Sequence, residues 1–120
     1  MGAPPEVMSS WQRLRGKLVG SEECQMKAYL IAVETVHDDA MFAEYRKQVG
    51  ATVKPFGGQF IAAGGKLTAL EGQWQHPGTV IIEFPSREAA EGWYKSADYQ
   101  AIIDLRLKST SGTLVVLDGI

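Results

Sequence analysis

The window AAEGWYKSADYQ, from Ala89 to Gln100, brings Trp93, Tyr94 and Tyr99 together with Ser96 and Asp98 between them. Two arrangements suit such a cluster. The rings can wall an apolar pocket in which the Tyr94 or Tyr99 hydroxyl orients a ligand, or they can fill a core with a polar tip at its rim. Ser96 has no histidine near it in sequence and reads as a helix cap rather than a nucleophile. Arg106 follows Tyr99 by seven residues and Ile102 by four, on a mostly apolar stripe. A permanent cation there needs a partner. Glu83 or Asp104 could supply it from within the chain, or a ligand carboxylate could, held by two parallel hydrogen bonds.

Proton transfer has fewer candidates. His37 and His76 are the two histidines, and imidazole alone titrates unaided near neutrality. His37 closes the first strand beside Asp38 and Asp39, at the kind of edge where a general base would meet an entering ligand. Three consecutive side chains diverge, so this trio is a poor metal site, and no Cys/His array for zinc is present. Glu83 is the second candidate for moving a proton. His76 lies in QWQHPG, within a loop over 65–78 that, with Trp74, is long enough to serve as a lid. The expected site therefore has His37 and Glu83 as catalytic residues. Arg106, Tyr99, Tyr94, Trp93, Trp74 and His76 are its expected ligand-binding residues. No metal and no cofactor are expected.

The elements that must position these residues follow from periodicity. KAYLIAVETV has the β-branched and aromatic content of a strand. Phe42, Tyr45, Val49 and Val53 then form a helical stripe. Asp38 or Asp39 is placed to cap its start, and Pro55 with Gly57-Gly58 to end it. GQFIAAGG and TVIIEF read as the second and third strands. Ser86 caps a helix through REAAEGWYK, a second helical segment follows a break near Ser96, and GTLVVLDGI is the last strand. The order β-α-β-β-α-β is the ferredoxin-like, split βαβ arrangement: an α+β fold with a four-stranded antiparallel sheet and its helices on one face.

The strand faces carry a further expectation. Ala28, Leu30 and Ala32 oppose Tyr29, Ile31 and Val33; Val80, Ile82 and Phe84 oppose Thr79, Ile81 and Glu83; Leu114 and Val116 oppose Val115 and Leu117. Both faces are largely apolar, and helices cover only one. Soluble proteins rarely leave such a face open, so a homodimer closing two sheets into a barrel is expected, with Glu83 among the few polar groups inside it.

Composition bounds the class. A chain of 120 residues with 45% apolar and 22% charged residues suits one ordinary domain. A net charge of −2 gives no general attraction for nucleic acid or anionic membrane. No run approaches the ~20 apolar residues of a membrane span, and MGAPPEVMSS lacks a secretory apolar core. The single Cys24 has no internal disulfide partner, which points to a reducing, cytoplasmic setting. Residues 1–25 read as a flexible N-terminal extension or a cloning-derived tail. Trp11, Leu14 and Leu18, beside Arg13, Arg15 and Lys17, would alternatively form a short basic amphipathic helix. The domain proper is expected over 26–120.

KAYLIA, FGGQFIAAGG, LEGQWQHPG and IEFPSREAAEGWYKSADYQAIIDLR, in that order and spacing, resemble the domain-of-unknown-function 1330 family. The resemblance runs from about Met26 to the C-terminus. It implies membership of the dimeric α+β barrel superfamily and therefore a homodimer, but no assigned activity. Related barrels include cofactor-free monooxygenases, small-lactone isomerases and haem-using enzymes, a weak guide because fold does not determine chemistry. The functional expectation is a cofactor-independent enzyme, monooxygenase- or isomerase-like, acting on an apolar or aromatic acid in a barrel pocket. The competing expectation is a non-catalytic ligand-binding or structural homodimer.

Overall fold

The computed structural model describes residues 5–19 and 26–120. Its elements are α1 (Pro5–Val19), β1 (Ala28–Val36), α2 (Asp39–Val53), a 3₁₀ turn (Lys54–Phe56), β2 (Gln59–Ala63), β3 (Gly78–Phe84), α3 (Arg87–Lys95), α4 (Ala97–Ser109) and β4 (Thr110–Asp118). The strands form one antiparallel sheet in the order β2-β3-β1-β4. This is the ferredoxin-like α+β fold. The last strand starts at Thr110, two residues before the sequence pattern suggested, because Thr110 and Ser111 pair with Val36 and Thr35.

Local signals set the helix boundaries. The Asp38 carboxylate accepts from the Met41 amide at 3.1 Å, and Ser86 Oγ accepts from the Ala89 amide at 3.1 Å. Ser96 acts twice: its hydroxyl donates to the Trp93 carbonyl at 2.7 Å, closing α3, and accepts from the Tyr99 amide at 3.2 Å, opening α4. Each such cap is worth about 1 kcal/mol. The break at Ser96 turns α4 so that Tyr99, Ile102, Ile103 and Arg106 all face inward.

The core lies between the sheet and helices α2, α3 and α4. Leu30, Val53, Phe84, Trp93 and Tyr99 are almost wholly buried there, and side chains of this kind contribute about 1.5–3 kcal/mol each on burial. In β1 the residues Ala28, Leu30, Ala32 and Glu34 share the buried face. On the opposite face Tyr29, Ile31, Val33 and Ile81 are half-buried, and Val115 and Leu117 are exposed.

Two local features shape the sheet. Glu34 stands opposite Gly78 on one side and Gly112 on the other. A Cβ at Gly78 would lie 2.9 Å from the Glu34 carbonyl oxygen, and one at Gly112 would overlap the Val33 carbonyl. Glycine is thus required on both sides, and neither neighbour places a side chain over Glu34. Second, β2 slips register between Phe60 and Ala62, leaving a bulge in an exposed edge strand.

Helix α1 stands apart from this core. Arg15 donates to the Gly119 carbonyl at 2.8 Å and touches the Met26 sulfur, while Trp11, Leu14 and Leu18 stay exposed. Residues 1–4 and 20–25, with Cys24, fall outside the described residues, and with them part of the expected extension over 1–25.

Candidate functional site

A cavity of about 420 Å³ opens between the sheet and α2, within the range of small-molecule pockets. Its walls are mostly apolar: Leu30, Ala32, Val80, Ile82 and Leu114 from the sheet, Phe42 and Val49 from α2, and the Trp93 ring at its base. Three polar side chains interrupt them. Glu34 comes from β1, Tyr45 from α2 and Arg106 from α4, and Arg46 stands exposed at the mouth.

These polar groups form one network. Arg106 Nη1 donates to Glu34 Oε2 at 3.4 Å, with the two residues only 7% and 5% exposed. Arg106 Nε donates to the Tyr99 hydroxyl at 3.0 Å, and the Tyr99 and Tyr45 hydroxyls lie 2.9 Å apart. Tyr99 is fully buried and accepts from Arg106, and either hydroxyl of the Tyr45–Tyr99 pair can donate to the other. When Tyr99 is the donor, the Tyr45 O–H is free to serve the cavity. Burial, then the neighbouring Tyr99, drives the Tyr45 phenol far above its ordinary value near 10; it is a neutral donor and no base. Burial alone would lower the Arg106 guanidinium, but Tyr99, Tyr45 and Glu34 outweigh it and the net direction is upward. It stays a cation.

Behind the network the aromatic cluster fixes its members. Trp93 packs on Tyr99 with ring centroids 4.1 Å apart and donates from Nε1 to Thr52 Oγ1 at 2.9 Å. Thr52 in turn donates to the Val49 carbonyl at 2.7 Å. Among the described residues no fully buried side-chain nitrogen or oxygen is left without a partner.

The structure divides the expected site residues between two faces. Arg106 and Trp93 line the cavity, and Tyr99 supports it from behind. Tyr94 packs tilted against Tyr99, with ring centroids 5.7 Å apart, but does not line the cavity. His37 is exposed beyond β1, its backbone amide donating to the Ser109 carbonyl at 2.9 Å. Glu83 sits on the open sheet face, where Tyr29 donates to it at 3.0 Å and Lys27 lies 3.4 Å away. Trp74 and His76 also go to that face: Trp74 Nε1 donates to Thr79 Oγ1 at 3.1 Å, and His76 Nδ1 lies 2.9 Å from Thr35 Oγ1. The 65–78 loop is therefore pinned across the sheet from the helix-side cavity.

Neither carboxylate expected beside Arg106 is its partner. Glu83 is on the other face of the sheet, and Asp104 is exposed on α4, 4.0 Å from Lys108. Glu34 fills the role. Its signal was strand parity, since it continues the buried series Ala28, Leu30, Ala32. Tyr45 was visible as one member of the α2 stripe, though nothing marked it as polar lining.

The profile of DUF1330, a domain of unknown function, matches residues 27–120. The chain belongs to the DUF1330 family. Among solved structures, a protein of unknown function from Rhodopseudomonas palustris is similar over 99% of this chain and 95% of its own, at 14% identity and a TM-score of 0.66. SnoaB, a cofactor-independent oxygenase from Streptomyces nogalater, is similar over 77% of this chain and 91% of its own, at 13% identity and a TM-score of 0.54. A Caulobacter crescentus protein provisionally assigned as an antibiotic biosynthesis monooxygenase covers 88% of this DUF1330 chain and 94% of its own, at 15% identity and a TM-score of 0.55. At these identities the likeness is one of fold. No curated protein matches the chain.

Proposed function

We propose that this DUF1330 chain is a cofactor-independent enzyme that moves a proton on an apolar, cyclic small molecule held in the helix-side cavity. The observation that carries this reading is the Glu34–Arg106–Tyr99–Tyr45 network set into an otherwise apolar wall. A carboxylate beside two hydrogen-bond donors is the equipment for enolate chemistry. Glu34 takes a proton from the carbon next to a ligand carbonyl, and Arg106 and Tyr45 stabilise the charge arriving on the oxygen. Return of the proton to a different atom completes an isomerisation; capture of the enolate by dioxygen, as co-substrate, would begin an oxygenation. The oxygenase named among the structures of similar fold supports the second branch by analogy only. His37 and Glu83 have no part in this reading.

The working unit we infer is a homodimer packed through the open sheet face, in the cytoplasm. Among the described residues no helix is long and apolar enough to cross a membrane. Nucleic acid is not a partner in this reading. A second reading, a binding protein without catalysis, is favoured by one observation: Arg106 already has internal partners in Glu34 and Tyr99.

Deuterium uptake separates the two. In heavy water the protein should accelerate exchange beside the carbonyl of 1-tetralone, followed by NMR, and Glu34→Gln should return the rate to background. Binding of tetralone without acceleration would leave the non-catalytic reading standing. Absence of binding would remove both.

A further inference from the structure

Which ligands the cavity selects follows from the charge and the unused atoms of its polar wall. Among the described residues Glu34 Oε1 and Arg106 Nη2 make no hydrogen bond to protein, although their sister atoms do. Both residues are buried, yet no fully buried side-chain oxygen or nitrogen is unpaired. These two atoms must therefore reach open space, and the space that both residues line is the cavity.

From this we propose that the pair makes the cavity a receptor for an uncharged molecule carrying a hydroxyl next to a carbonyl, and that it disfavours carboxylates. The ligand hydroxyl donates to Glu34 Oε1; the carbonyl accepts from Arg106 Nη2 and the Tyr45 O–H. The inference rests on the cavity being the ligand site, as argued above, and names the class of molecule it takes.

Charge balance decides against the aromatic acid expected from sequence. That expectation treated Arg106 as an unmatched cation, whereas Glu34 matches it at 3.4 Å. An entering carboxylate would meet a fixed carboxylate beside the guanidinium, after losing its own water to an apolar wall. Desolvation of an ion costs several kcal/mol and is recovered only by excellent pairing. A neutral hydroxy-carbonyl group loses less and satisfies every free atom of the wall. Arg46 at the mouth adds a positive charge, but it is exposed and screened by solvent and salt.

Calorimetric titration with three bicyclic probes tests this: 2-hydroxy-1-tetralone, 1-naphthoate and tetralin. The hydroxytetralone should bind about tenfold or more tighter than either of the others, a difference of about 1.4 kcal/mol. Glu34→Gln should shift the ratio of naphthoate to hydroxytetralone affinity about tenfold or more toward the acid, because Arg106 is then uncompensated. If that variant does not fold, the double variant Glu34→Gln/Arg106→Gln serves. It should lose the advantage of hydroxytetralone over tetralin and gain nothing for naphthoate. Naphthoate binding as well as hydroxytetralone in the unaltered protein overturns the inference and leaves the cavity as the ligand site. If no probe binds, the site assignment itself falls, and the inference with it.

Discussion

At the scale of single residues, the fold concentrates its electrostatic risk in one contact. Glu34 and Arg106 come from β1 and α4, separated by 72 positions in the chain, and meet where both are almost dry. Removing one partner of such a pair leaves an uncompensated buried charge, whereas removing both can be close to neutral. Arg106→Met should therefore cost about 3–5 kcal/mol in urea unfolding, and Glu34→Leu/Arg106→Met should recover most of that loss. Equal destabilisation by the single and double variants would show that the pair is not coupled. Tyr99 contributes differently, by holding the guanidinium through Nε and sharing a hydrogen bond with Tyr45.

At the scale of elements, the two glycines beside Glu34 do the positioning. Gly112→Ala should destabilise the protein by about 1–3 kcal/mol, the cost of overpacking, because the added carbon would overlap the Val33 carbonyl. Gly50→Ala makes the contrast. Gly50 is within α2 with open space around it, so alanine there should stabilise by about 0.8–1 kcal/mol. Urea midpoints for the pair should move in opposite directions; movement in the same direction would sink the steric account. The elements themselves were legible in sequence because short runs rich in β-branched and aromatic residues mark β1 and β3, and apolar stripes at spacings of three and four mark α2 and α4. The break at Ser96 was legible for the same reason, as a cap residue between two stripes. The polar wall was not. Arg106 stood out as a cation on an apolar stripe, but a glutamate near the end of a strand looks like any solvent-facing terminus. Only its parity with Leu30 and Ala32 says otherwise. The pairing also depends on which strands flank β1, and that is a property of topology that local pattern does not carry.

At the scale of the whole molecule, one sheet face is covered by helices and the other is not. Tyr29, Ile31, Val33, Ile81, Val115 and Leu117 make the uncovered face apolar, with Leu117 58% exposed. A second copy laid face to face would bury it. Sedimentation of the unaltered protein should give a dimer, and Val115→Glu should raise the dimer dissociation constant about a hundredfold or more, equivalent to about 2.7 kcal/mol. A monomeric unaltered protein would end the barrel proposal while leaving the cavity, which lies wholly within one chain. The edges of the same sheet raise a separate matter. An exposed strand at the margin is a template on which foreign strands can add and fibrils can grow. In β2 that template is spoiled, because the slip between Phe60 and Ala62 breaks the even row of amides and carbonyls that an incoming strand would have to match. The bulge thus works as a guard against runaway stacking along this margin, whatever the open face of the sheet packs against.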